Sequence, residues 1–253
     1  MDDFYEIDFL NVESKKSGDA ICIRYQADGI QRIHVVDGGF QATGEKVIAH
    51  IDEHYGAPSF IDAVVVTHPD GDHAGGLRSV LENYNVGELW MLRPWLYADE
   101  LIDRFKRFTS IEGLQKRLKE LYPNLVALED IALQKSITIK EPFQGACIGD
   151  FTALAPSKTR YLNLVVESDK TPEQHEKTDD LFDEIINVLS EGARALGKLV
   201  SALWGDENFS SEPTSAENEM SIVQYAYLCD NKILLTGDAG RDALTEAADH
   251  APY

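Results

Sequence analysis

Ile61-Asp62-Ala63-Val64-Val65-Val66-Thr67-His68-Pro69-Asp70-Gly71-Asp72-His73-Ala74-Gly75-Gly76-Leu77 decides how this chain is read. Residues 61–67 are mostly β-branched and apolar, and predict a buried strand. Residues 74–84 predict a helix that opens on glycines. Between them, two imidazoles and two carboxylates fall within six residues. Side chains at a strand end that feeds a helix occupy the usual position of active sites in layered α/β folds. Imidazole nitrogen and carboxylate oxygen are donors that divalent transition metals accept. Residues two apart in an extended turn point the same way, so His68, Asp70 and Asp72 can converge, and His73 can face back from the helix. The plain reading is a polar turn in which Asp70 or Asp72 caps the helix. Four donors in six residues are too dense for capping alone.

These residues resemble the metallo-β-lactamase superfamily signature His-x-His-x-Asp-His, with Asp70 in place of the second His. The variant, followed by Ala74-Gly75-Gly76-Leu77, is similar to the hydrolase domain of competence proteins of the ComEC type and their stand-alone relatives. Three further segments carry the resemblance. Phe9 to Val12 with Gly18-Asp19-Ala20-Ile21, then Val35-Val36-Asp37-Gly38-Gly39, resembles the family's opening hairpin. Asn218-Glu219-Met220-Ser221 resembles its Asn-x-x-Ser segment, and Leu234-Leu235-Thr236-Gly237-Asp238 its Leu-Leu-Thr-Gly-Asp motif.

The resemblance implies a four-layer αββα sandwich and a hydrolase with two divalent ions, zinc or manganese, that uses a metal-bound hydroxide. It implies His68 and Asp70 at one ion, with Asn218 or Ser221 nearby. It places Asp72 and His73 at the other ion, with Asp238 bridging. Asp72 is the candidate catalytic residue, orienting the nucleophile. With Asp70 replacing a His, the donor set is harder than that of a typical zinc site, and manganese competes with zinc. The chain also departs from the pattern. Asn11 replaces the opening Asp, and residues 13–17 lengthen the connection. The superfamily supplies one more His on a strand after the Gly-Asp motif, whereas His250 falls within the expected helix 239–248. The expectation is therefore that the last strand and its ligand lie outside residues 1–253, leaving the second ion short of a donor.

At 253 residues and 43% hydrophobic, the chain fits one domain with a sizeable core. No stretch approaches the ~20 apolar residues of a membrane span. The acidic start, Met1-Asp2-Asp3-Phe4, lacks a secretory core, and a cytoplasmic location is expected. Cys22, Cys147 and Cys229 have no metal or redox spacing and are expected as buried free thiols.

The remaining pattern predicts strands at 5–12, 19–26, 31–37, 86–92 and 151–155, and helices at 45–55 and 97–121. Residues 157–217 are an insertion containing an amphipathic helix with Leu181, Ile185, Val188, Leu189, Leu196, Leu199, Val200 and Leu203 on one stripe. It could act as a lid or as a homodimer or partner-protein surface. His175 within it reads as a surface residue.

The net charge of −21 disfavours gripping a nucleic-acid backbone, which usually needs a basic face. Arg93, Arg104, Lys106, Arg107, Lys116, Arg117 and Lys119 cluster among aromatics. They read better as a solvated helix face than as a substrate groove. Three functions stay open. The first is a phosphodiesterase or nuclease-like metallohydrolase. The second is a hydrolase of small esters, lactones or thioesters. The third is a non-catalytic scaffold or partner subunit. A basic stripe lining the site favours the first, an apolar pocket the second, and blocked ligands the third.

Overall fold

The computed structural model describes residues 3–12, 18–105, 108–168, 170 and 214–251. The amphipathic stripe 181–203, His175, Lys106 and Arg107 lie outside the described residues. Among the described residues, ten strands form two sheets. The first runs β1(Phe4–Phe9), β2(Ala20–Ala27), β3(Ile30–Gly38), β4(Phe60–Val65), β5(Asn85–Trp90), β6(Thr138–Lys140), in that spatial order. β1 to β3 pair antiparallel, while β3–β4, β4–β5 and β5–β6 pair parallel. The second sheet is wholly antiparallel, in the order β10(Asn231–Leu235), β9(Val223–Leu228), β8(Phe151–Ala155), β7(Cys147–Ile148).

Alternation along the strands explains the stacking. On β2, Cys22 points to one core and Ile21, Ile23 and Tyr25 to another. On β4, Ile61 and Val64 face the first core and Ala63 and Val65 the second. A strand buried on both faces reads as a continuous apolar run, which is why 61–66 lacks a polar alternation. The first core packs helices α1(Gly44–His54), α2(Leu77–Asn83), α3(Ile111–Leu121), α4(Pro123–Gln134) and α5(Lys158–Glu167) onto the outer face of the first sheet. The second core lies between the sheets. A third, with Leu154, Ala155, Val223 and Ala247, packs helix Arg241–His250 onto the second sheet. The layers are therefore helix, sheet, sheet, helix, as the resemblance implied.

Several expectations need correction. The segment 97–121 is not one helix. It holds a short helix, Ala98–Leu101, a 3-10 turn at Ile102–Arg104 and then α3 from Ile111. Leu101 and Phe105 are fully buried, but Phe105 is extended at φ −119° and ψ 114°. The apolar spacing there reports burial rather than a continuous helix. Cys22 is buried, but Cys147 and Cys229 are exposed. Cys147 sits on the edge strand β7, and Cys229 with Asp230 turns the β9–β10 hairpin at φ 48° and 62°. A two-residue hairpin turn with positive φ faces solvent.

The last helix starts at Gly240, which offers no side-chain cap. Glu219 supplies the missing anion from elsewhere in the chain. Its Oε2 accepts the Ala243 N–H at 2.8 Å and pairs with Arg160. Arg160 also donates to the Glu219 carbonyl at 2.7 Å. A carboxylate at a helix N-terminus satisfies orphan N–H groups and the helix dipole together. This joint fixes the segment carrying Asn218 and Ser221 beside the last helix.

Candidate metal centre

Asp37 organises the site. It is the next-to-last residue of β3, lies in the left-handed region at φ 56° and is wholly buried. Because β3 and β4 run parallel with Val36 opposite Val65, Asp37 lies next to the loop that leaves β4. Its Oδ1 accepts the Thr67 N–H at 2.8 Å. Its Oδ2 accepts the Thr67 hydroxyl at 2.5 Å and His73 Nδ1–H at 2.8 Å. The Thr67 hydroxyl has one proton, and Asp37 takes it. Thr67 Oγ1, 3.0 Å from His68 Nδ1, therefore accepts from that ring. Ser221 Oγ lies 3.4 Å from the same nitrogen. In its neutral form each imidazole thus carries its proton at Nδ1 and a lone pair at Nε2.

Those two Nε2 atoms are buried and have no hydrogen-bond partner. A buried, unpaired polar atom is costly and calls for a reason. The rings lie 4.1 Å apart, centroid to centroid, and carboxylates face the free nitrogens. Asp70 Oδ2 is 3.9 Å from His68 Nε2, and Asp238 Oδ2 is 3.5 Å from His73 Nε2. Donor atoms of Asp19, His73 and Asp238 lie within 4.8 Å of one another, as do those of Asp37, His68 and His73. Asp37 is already committed to Thr67 and His73, so it positions the rings rather than ligating. Two free imidazole nitrogens facing carboxylates fit a divalent ion.

The predicted residues fall as follows. His68, Asp70, His73 and Asp238 come together at the end of β4. Asp70 holds the N-cap position of the short helix Gly71–Ala74, yet its side chain makes no capping bond. Its Oδ1 instead accepts from Lys170 Nζ at 2.6 Å. Asp72 lies half-buried in the first turn of that helix, outside both groups of converging donors. Asn218 Nδ2 reaches Asp238 Oδ2 at 3.5 Å. His250 ends the last helix, and its Nε2 lies near Gly145, on the loop that leads into β7. Asp37 and Asp19 lie in the segments that resemble the family's opening hairpin, Asp37-Gly38-Gly39 and Gly18-Asp19-Ala20, but the pattern alone assigned neither of them a role at the site.

Charge in the site is crowded. Burial opposes a charged His73, but the carboxylates of Asp238 and Asp37 outweigh it and push its pKa up to about 10. The close approach of the His73 ring lowers the pKa of Asp238, burial opposes it, and the His73 charge adds to the lowering. Burial, then the neighbouring Asp37 and Asp238 charges, raise Asp19. Burial and the charge of His73 lower His68. Without metal, a proton on His73 takes the place of a cation among carboxylates.

Part of the basic segment is paired with carboxylates. Arg93 and Lys119 both pair with Glu129, at 3.1 and 3.2 Å, and Arg117 pairs with Glu120 at 3.2 Å. Arg104 donates to Asn163 at 3.1 Å. A small apolar pocket adjoins His68 instead, lined by Leu92, Pro94, Tyr122, Leu125, Tyr161 and Met220.

The fold is a helix–sheet–sheet–helix α/β sandwich, and the His and Asp side chains that converge at its strand end could hold a metal ion. Residues 31–117 match the family model described as metallo-beta-lactamase superfamily. The match includes Asp37 and the whole His68–His73 loop; Asp19 and Asp238 lie outside it. No curated protein matches the chain. Among the described residues, no helix is long and apolar enough to cross a membrane.

Proposed function

We propose that this chain is a divalent-metal-dependent hydrolase acting on a small phosphodiester. The observation that carries the reading is the pair of buried, unpartnered Nε2 atoms of His68 and His73 facing Asp70 and Asp238. When bound, a pair of divalent ions supplies Lewis acidity and a water whose pKa falls from near 16 toward ~7. The chain's own residues do the rest. Asp37 and Thr67 fix both rings in the tautomer that leaves Nε2 free, and Asp72 orients the attacking water. Lys170, beside Asp70, offers the substrate a positive charge. The resemblance of the His68–His73 pattern to the competence-type hydrolases favours phosphodiesters. A long nucleic acid fits poorly, because the chain is strongly acidic and Arg93, Arg117 and Lys119 are paired with carboxylates.

A second reading is hydrolysis of small esters or lactones, for which the apolar residues beside His68 would form one wall, the cleft between them being itself only about the size of a water molecule. Metal analysis of the purified chain, with turnover of bis-p-nitrophenyl phosphate, single-stranded DNA and a lactone panel, separates the readings. Metal with phosphodiester turnover supports the first, and lactone turnover alone supports the second. Absence of both metal and turnover leaves the scaffold.

A further inference from the structure

Asp19 lies far in sequence from the loop that carries the other donors, yet the fold brings it there. A Cβ at Gly18 would sit 2.4 Å from the Asp72 carbonyl oxygen, so only glycine lets the chain pass this close to the loop. The next residue is then tied down. The Asp19 carbonyl accepts the Gly39 N–H at 2.7 Å, and Ala20 pairs with Gly38 beside a register shift. These contacts anchor Asp19 to the turn that holds Asp37. Among the described residues no Lys or Arg pairs with the Asp19 carboxylate. Its titratable neighbours are Asp37, Asp238 and His73.

We infer that Asp19 is a ligand of the second ion, held with His73 and Asp238. The inference rests on the metal-dependent reading above. Donor atoms of the three residues lie within 4.8 Å of one another. Oxygen and nitrogen donors sit about 2.0–2.2 Å from an ion of this kind, so opposite donors stand about 4 Å apart. The independent sign of a ligand is His73 Nε2, fully buried, without a hydrogen-bond partner and aimed at Asp238. Two carboxylates and one imidazole make an oxygen-rich set, harder than the His-rich sets that zinc prefers, so manganese is the favoured ion. Asp19 would then stand where the sequence pattern led us to expect a missing histidine. The second ion would need no nitrogen donor from another strand or chain.

The test uses the full chain, stripped with chelator and titrated with Mn²⁺ by calorimetry and electron paramagnetic resonance. Wild type should bind two equivalents and give the spectrum of a spin-coupled pair. Asp19→Asn should keep one equivalent, bind the second at least tenfold more weakly and lose the coupled signal. Asp19→Ser should do the same, and Asp19→Glu should recover part of the loss. The metal-free melting midpoint of Asp19→Asn should not fall, because three carboxylates no longer crowd one imidazole. Two equivalents at wild-type affinity with a coupled spectrum in both Asp19→Asn and Asp19→Ser would overturn the assignment while leaving the metalloenzyme reading standing. A wild-type chain that binds no Mn²⁺ would remove both, and that failure shows in the wild type rather than in the variants.

Discussion

Asp37→Asn is the substitution that probes the site most directly, because it keeps the shape and changes only the protons. The amide oxygen can still accept the Thr67 N–H now held at 2.8 Å. The amide nitrogen then faces the Thr67 hydroxyl and His73 Nδ1, both of which now donate to this position. His73 must turn its Nδ1 into an acceptor, which moves its proton to Nε2. The Thr67 hydroxyl, no longer needed by Asp37, can donate to His68 Nδ1 at 3.0 Å and move that proton to Nε2 as well. One atom exchanged thus fills both lone pairs that face the carboxylates. Removing a partner that orients a ligand usually weakens metal binding ~10–100-fold, so two rings give a combined loss of about 10²- to 10⁴-fold. Hydrogen bonds to a charged acceptor contribute about 1.5–3 kcal/mol each, and the metal-free fold should lose about 2–3 kcal/mol. Chelator competition with Mn²⁺ or Zn²⁺ reads the affinity, thermal melts read the fold, and nitrogen-15 spectra of the histidines read the tautomers. A folded Asp37→Asn protein that binds metal within threefold of wild type, with both rings protonated at Nδ1, would refute the reasoning.

Three other outcomes follow from the same coordinates. Metal-free protein should lose stability as pH rises from about 6.5 to about 10, since His73 is protonated more strongly folded than unfolded, and saturating metal should flatten that slope in melts across the range. Glu219→Ala should cost about 2–3 kcal/mol, below the ~3–5 kcal/mol of a broken buried pair because Glu246 still faces Arg160 at 3.6 Å; a drop of roughly 5–10 °C in the melting midpoint would register it. Asp72→Ala should abolish any phosphodiester turnover while leaving the melting midpoint nearly unchanged, because a half-buried loop-end carboxylate contributes more to chemistry than to packing; retained wild-type turnover would rule out its role.

The loop His68–His73 is legible in sequence because its donors are dense and local. Asp37 and Asp19 are not, because their roles depend on which strands become neighbours. Asp37 reaches Thr67 and His73 only because β3 pairs with β4 in parallel, Val36 against Val65. Asp19 reaches His73 only because Gly18 permits contact with Asp72. The same distinction explains the broken helix after Tyr97. Leu101 and Phe105 have the spacing of one helical stripe and are indeed buried, but apolar spacing cannot register where the backbone leaves the helix. Cys229 misleads in the opposite direction. The apolar run before it reads as core, while Asp230-Asn231 after it is the turn signal that decides its exposure.

The acidic charge and the proposed chemistry act over different ranges. A net charge of −21 repels a polyanion that must lie along many ångströms of surface, but salt screens charges beyond about 8–10 Å. A small phosphodiester at the end of β4 meets mainly the local charges. There Asp19, Asp37, Asp70 and Asp238 surround two imidazoles, and Lys170 is the cation bonded to Asp70. Divalent ions would reverse that local balance, and the acidic surface that repels nucleic acid would raise their concentration near the site. Turnover of a small phosphodiester should therefore depend weakly on ionic strength, whereas weak cleavage of single-stranded DNA should rise as salt screens the surface. A steep fall of DNA cleavage with added salt would instead require a basic track that the paired Arg93, Arg117 and Lys119 do not provide.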